Sequence, residues 1–311
     1  MDLSPKWRFK LEKLRSAWRQ MLSSREDNAG SFLRMCPSCR GLIDRNAKVC
    51  PLCGSSTRPV RTRRAGEAGS TRIAGIIPVP GTATSVLIAA NIALYGVSWY
   101  LTQVAAEATA GSAPTLGQID PQVLLRLGAK FGPLMFAGQW WRLVTAMFLH
   151  AGLFHIGMNL WCLFDLGPAV ESLFTGTKFI VIYLVTGVVG FMLSLWWSPG
   201  GLSIGASGAI LGLVGVLLGA SFHHGGLGKV YRSQLWRWVI YIFIFGLLFA
   251  VDNAAHLGGL ASGFLLGYLV PEGEPETHSA EVVWDGLAVI SVLVIAGSFA
   301  LMALQLNQPI R

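Results

Sequence analysis

Ser207 lies in the run Gly205-Ala206-Ser207-Gly208, and His256 in Asp252-Asn-Ala-Ala-His256-Leu-Gly-Gly259, each inside an otherwise apolar stretch. A serine hydroxyl is a weak nucleophile until a neighbouring base takes its proton, and an imidazole is the usual base. A third apolar stretch carries His150, His155 and Asn159. His155 and Asn159 are one helical turn apart and therefore share a face. An imidazole N–H, a carboxamide N–H₂ and the Ser207 backbone N–H would make a donor set for the oxyanion of an acyl transfer. His150 points elsewhere around a helix, so it either lines the site beside Gly205 or stabilises a loop. A metal site built on these polar groups lacks a carboxylate.

Each motif has a plainer reading. Gly and Ser suit close helix packing in membranes, and a lone intramembrane histidine is often a satisfied structural group. The surrounding elements favour chemistry. Gly208, Gly212, Gly215 and Gly219 form a smooth stripe after Ser207, and Ala255, Gly259, Gly263 and Gly267 form a matching one after His256. Two such faces packed together would bring Ser207 and His256 within hydrogen-bond reach. Ser207 would open its helix, where free N–H groups and the dipole favour developing negative charge. Asp252, four residues before His256, is a candidate third member of a triad.

The positioning elements are transmembrane helices. The 311 residues are 53% hydrophobic and 13% charged, against about 25% charged in soluble domains. A span needs about 20 mostly apolar residues, which gives seven candidates: Ile76–Val104, Ala146–Leu166, Phe179–Trp197, Ala206–Phe222, Leu235–Ala250, Ala254–Val270 and Val282–Leu304. The segment Ala105–Gln139 reads as a long loop without strong helix signals. The start of the chain is basic and amphipathic, with no signal-peptide pattern, and is expected to be a solvated or membrane-surface helix. The basic run Thr57–Arg72 and the break at Lys229, Arg232 and Arg237 fall on the cytoplasmic side by the positive-inside rule. Nucleic-acid binding is the competing reading of the basic run, and topology already accounts for it.

Cys36-Pro-Ser-Cys39 and Cys50-Pro-Leu-Cys53 are two CxxC knuckles ten residues apart. Four thiolates at this spacing can close a tetrahedron around one zinc ion, which would supply the folding energy of so small a module. Disulfides are the alternative, and a reducing cytoplasmic setting favours metal. Such a zinc-ribbon-like module would hold its metal structurally and either dock a cytoplasmic protein partner or regulate access to the membrane-embedded part. Cys162, in an apolar segment, reads as a small core residue. The expected organisation is an amphipathic segment (1–30), the four-cysteine module (31–57), a flexible linker (58–75), a helical core (76–271), and a loop with an extra helix (272–311).

Four motifs in this order resemble the rhomboid family of intramembrane serine proteases: Trp141-Arg142, His150-x4-His155-x3-Asn159, Gly205-x-Ser207-Gly208, and Asp252-Asn-Ala-Ala-His256-Leu-Gly-Gly259-x3-Gly263. The resemblance covers roughly Ile76 to Val270. It implies an all-α polytopic membrane fold, a six-helix core here followed by one C-terminal helix. It also implies a Ser207–His256 dyad without an acidic third member, with His155 and Asn159 lining the oxyanion hole and His150 near the site. Trp141-Arg142 would belong to a first loop partly sunk in the outer leaflet, and Glu171 would be structural. The implied activity is cleavage of transmembrane protein substrates within the lipid bilayer near the extracytoplasmic face, with no cofactor for catalysis. The alternative is a catalytically silent rhomboid-like protein that binds transmembrane clients.

Overall fold

The computed structural model describes residues 33–35, 42–44, 51, 72–73, 77–78, 81–108, 117–248 and 251–306. The chain divides into two compact units, Met1–Arg64 and Ala65–Arg311. In the first, strands β1 (Leu33–Met35) and β2 (Leu42–Asp44) pair antiparallel, with Arg34 opposite Ile43. Cys36, Cys39, Cys50 and Cys53 lie outside the described residues, as does the amphipathic segment 1–30.

The second unit is a helical bundle, entered through the two-residue strands β3 (Arg72–Ile73) and β4 (Ile77–Pro78). Helix α1 (Thr82–Ala108) starts at Thr82 rather than at Ile76. Pro78 and Pro80 explain the delay, because proline has no N–H to give and disfavours helix in the residue before it. The opening turn of α1 is capped from another helix. The Glu171 carboxylate accepts from the Ala83 and Thr84 N–H groups at 3.0 and 2.9 Å and from Thr84 Oγ1 at 2.6 Å. A negative group there meets both orphan donors and the helix dipole.

Residues 117–139 hold more helix than their composition suggests. Helix α2 (Pro121–Arg126) is capped by Asp120, which accepts from Gln122 N at 2.6 Å, and helix α3 (Gly132–Phe136) follows. Helix α4 (Arg142–Thr145) leads into a 3-10 turn, Ala146–Phe148. The expected second span therefore does not begin at Ala146. The apolar run Ala146–Leu149 is apolar because it is buried in protein, and the crossing helix α5 begins at Leu153.

Helix α5 (Leu153–Trp197) is a 45-residue run broken at Thr175, whose φ of 68° and ψ of 161° are not helical. It supplies the second and third expected spans. Helix α6 (Ser207–Ala220) is the centre of the bundle, with every residue from Gly208 to Ala220 buried. A 3-10 turn (Ser221–His224) joins it to α7 (Gly225–Leu248). Helix α7 begins ahead of the expected Leu235, through the polar stretch that has the composition of a break. Helix α8 (Asn253–Leu269) follows at its expected place. Helix α9 (His278–Gln305) starts before Val282 because the Thr277 hydroxyl caps it, accepting from Ala280 N at 3.2 Å.

Thr82–Ala108, Leu153–Trp197, Ser207–His224 and His278–Gln305 are each long and apolar enough to cross a membrane. Helix α6 packs against α8 and the second half of α5. A Cβ on Gly259 would overlap the Gly208 carbonyl oxygen, and one on Gly263 would overlap that of Gly212. The two stripes thus meet backbone to backbone, the close approach that small residues allow in membrane helices.

Candidate active site

Ser207 is the first residue of α6, and the turn before it depends on Gly205. That residue has φ of +120° and donates its N–H to the Ala146 carbonyl at 2.8 Å. Glycine alone adopts such a conformation readily. A Cβ would also sit 2.7 Å from His155 Nε2, so the missing side chain lets the imidazole close on the serine turn. His256 lies in the first turn of α8 and is 3% exposed. Its Nε2 is 2.8 Å from Ser207 Oγ, and its ring stands edge-on to Phe243. The pair expected from the two glycine stripes is within hydrogen-bond distance.

Among the described residues, His256 Nδ1 is buried without a hydrogen-bond partner. Asp252 does not reach it. Its Oδ1 accepts from Ala255 N at 3.0 Å, and its Oδ2 accepts from the Ser194 hydroxyl. The carboxylate therefore caps the helix that carries His256 and ties it to the end of α5.

His155 is in the first turn of α5. Its Nδ1 accepts from Ala151 N at 3.4 Å, which leaves Nε2 toward Gly205. Asn159 Nδ2 donates to the His155 carbonyl at 2.9 Å, and its second amide hydrogen remains for another acceptor. Both residues line a cavity of about 1300 Å³ that also contains Ser207, Gly205 and His256. Its wall is mostly apolar and aromatic, with Phe154, Met158, Trp196 and Phe243 prominent, and Cys162 is part of it. His150 is not in this wall. It is fully buried behind His155, ring centroids 5.0 Å apart and nearly perpendicular, so it supports His155 from the loop before α5.

Two buried cations help to build the site: Arg142, part of the Trp141-Arg142 motif, and Lys130, which the sequence motifs did not include. Lys130 is 1% exposed, and its Nζ donates to the carbonyls of Ser198 and Gly201 at 2.7 and 3.1 Å. Burial pushes this amine below its ordinary value, and the charge of Asp252 pulls it up. A lysine within the apolar stretch Leu127–Phe136 was the available signal. Arg142 is 3% exposed and donates from Nη1 to the carbonyls of Leu125 and Ala129 at 2.7 and 2.9 Å. Its Nε donates to Gln139 Oε1 at 2.7 Å, and its guanidinium lies 4.8 Å from the Trp141 ring centre. Burial lowers it to about 10, which leaves it charged at neutral pH. Trp141-Arg142 is thus the internal scaffold of the segment before α5.

Residues 137–273 match the profile of the Rhomboid domain. Rhomboid protease GluP of Bacillus subtilis (strain 168) is 37% identical over 153 residues, covering 48% of this chain and 29% of the relative. RHOMBOID-like protein 6, mitochondrial, of Arabidopsis thaliana is 37% identical over 164 residues, covering 50% of this chain and 52% of that protein. Putative rhomboid protease YdcA of Bacillus subtilis (strain 168) is 35% identical over 138 residues, covering 42% of this chain and 68% of that protein. The chain thus spans about half or less of the length of the first two relatives.

Proposed function

Because the chain belongs to the rhomboid family, we propose that it is an intramembrane serine endopeptidase that uses Ser207 as nucleophile and His256 as general base. The observation that carries this reading is the 2.8 Å separation of Ser207 Oγ and His256 Nε2 at the wall of a largely apolar cavity. For the hydroxyl to donate to Nε2, the imidazole proton must reside on Nδ1.

The chemistry then runs in balanced steps. Ser207 Oγ attacks the scissile carbonyl carbon as its proton passes to His256 Nε2, and the carbonyl oxygen becomes an oxyanion. Three donors are aimed at that oxygen: the Ser207 N–H at the open end of α6, His155 Nε2–H, and the free Asn159 amide hydrogen. Collapse breaks the C–N bond, and the proton on Nε2 goes to the leaving amine. Water, deprotonated by His256, then attacks the acyl-enzyme, releases the carboxyl product, and returns the proton to Ser207. No metal or organic cofactor enters these steps.

The substrates are transmembrane protein segments that enter from the bilayer and unwind to present an extended bond to Ser207. Exposed Trp196 and Trp197 stand next to the loop leading to Ser207, as aromatic residues do at a membrane interface. This agrees with a site near one membrane face, and the basic flanks put that face on the extracytoplasmic side. The four N-terminal cysteines would hold structural zinc and present a cytoplasmic docking module. Purified protein in liposomes with a transmembrane substrate tests the proteolytic reading. Ser207→Ala should lower cleavage by about 10³-fold or more, and equal cleavage by this variant would overturn the mechanism.

A further inference from the structure

The loop 198–203, Ser-Pro-Gly-Gly-Leu-Ser, joins α5 to the turn that bears Ser207. Inside it, Gly201 N donates to the Ser198 carbonyl at 3.1 Å. Two adjacent glycines give such a segment wide backbone freedom, so its shape depends on bonds from elsewhere in the chain. Residues 130–132 supply them. Lys130 N donates to the Ser203 carbonyl at 2.9 Å, and the Lys130 carbonyl accepts from Ser203 N at 3.0 Å. Gly132 N donates to the Pro199 carbonyl at 2.8 Å, and a Cβ on Gly132 would sit 2.2 Å from that oxygen. Lys130 Nζ donates to the Ser198 and Gly201 carbonyls at 2.7 and 3.1 Å. The loop is thus held at its start, middle and end.

A lysine suits this task. Its ammonium carries three donors on a flexible four-carbon stem, so one side chain reaches two carbonyls of the same loop. What the loop fixes is the approach to the serine. The next tied point is Gly205, whose N–H bonds the Ala146 carbonyl and whose missing Cβ admits His155 Nε2. Ser207 follows as the first residue of α6, and from Gly208 onward that helix is buried in the bundle. Play in the loop would therefore be taken up by residues 204–207, which carry the nucleophile and meet an oxyanion donor.

We propose that Lys130 is a positioning residue for the proteolytic reaction: it anchors the loop 198–203 so that Ser207 and Gly205 are held against His256 and His155. The inference rests on the proteolytic reading above. Lys130 acts through the loop and makes or breaks no bond of the substrate.

Lys130→Met and Lys178→Met, measured side by side in liposomes, test it. Lys178 is a matched control: it is also 1% exposed and donates to two carbonyls, those of Pro271 and Gly273, on the connection into α9. Both variants should melt earlier in detergent, since each loses two hydrogen bonds from a charged donor. Only Lys130→Met should lower kcat, by about ten- to a hundredfold with KM nearly unchanged, the scale of a misplacement on the order of 1 Å. Fluorophosphonate labelling of Ser207 should slow by a similar factor in Lys130→Met and keep the parent rate in Lys178→Met. A Lys130→Met protein that melts earlier yet keeps kcat and labelling rate would overturn the inference. Equal losses of kcat in the two variants would overturn it too. Gly132→Ala pushes the same loop from the Pro199 side and should lower kcat in the same direction, which keeps the test open if Lys130→Met does not fold. Unchanged kcat in Gly132→Ala counts against the anchor. Hydrogen exchange read by mass spectrometry needs no activity: the Ser203 and Gly205 amides should exchange about tenfold or more faster in Lys130→Met, and at the parent rate in Lys178→Met. A parent that cleaves no better than Ser207→Ala removes the proteolytic reading, and the anchoring of the loop still stands or falls on these exchange rates.

Discussion

At the scale of single residues, Ser207 and His256 derive their significance from what surrounds them. The imidazole is buried, contacts the hydroxyl through Nε2, and has no acidic residue on Nδ1 among the described residues. These residues were legible in the sequence because polar groups inside apolar stretches are costly and few. His155 was legible for the same reason, and its closeness to Gly205 adds a steric reason for the glycine. Lys130 carried only the weaker signal of a lysine within a short apolar stretch, because its burial is fixed by the fold and not by its neighbours in sequence. His150, a candidate for the site wall on its spacing, lies behind that wall. On the proposed mechanism, His155→Ala removes one oxyanion donor and should lower kcat by about 10²–10³. Steady-state cleavage with KM preserved is the check, and a rise in KM alone would indicate a binding role.

At the scale of elements, the site depends on α6 and α8 approaching closer than side chains permit. The two glycine stripes were visible as spacing, although Gly212 also faces Thr186 on α5. The boundaries were less legible. Ala146–Leu149 had the composition of a span and is an interior turn, since burial in protein and burial in lipid select the same residues. The start of α7 was hidden by polar residues that a helix tolerates. Gly259→Leu should separate α6 from α8, cost about 1–3 kcal/mol or more through overpacking, and abolish cleavage. Gly297→Leu on α9, where a Cβ meets nothing within 4 Å, should leave activity unchanged and melting within about 0.5 kcal/mol of the parent. Equal damage by both substitutions would argue against the stripe contact.

At the scale of the whole molecule, the helix beyond the six-helix core is packed into it. Phe299 of α9 meets Phe148 at 5.5 Å between ring centres, and Met302 is buried in the cluster that contains Trp141 and Leu149. At the other end, Lys178 Nζ donates to the carbonyls of Pro271 and Gly273, both at 2.8 Å, and holds the connection into α9. The existence of this helix was legible in the sequence but not where it docks, because its apolar pattern is nearly uniform around the axis. Phe299→Ala should cost about 1 kcal/mol from the aromatic pair alone, measurable as earlier thermal unfolding in detergent. The N-terminal module stands as a separate claim. Zinc bound per chain should fall in a Cys36→Ser, Cys39→Ser variant, and equal zinc in both samples would remove the metal from the proposal.

The central claim is that His256 activates Ser207 by direct proton transfer. A fluorophosphonate probe, which reacts with activated serines, tests this on the purified membrane protein with the adduct mapped by mass spectrometry. The account predicts a single adduct on Ser207 in the parent, with labelling at least about 10²-fold slower in His256→Ala, the range of a general base. Labelling of Ser207 at the same rate in both proteins, or no Ser207 adduct in a parent that cleaves substrate, would contradict it.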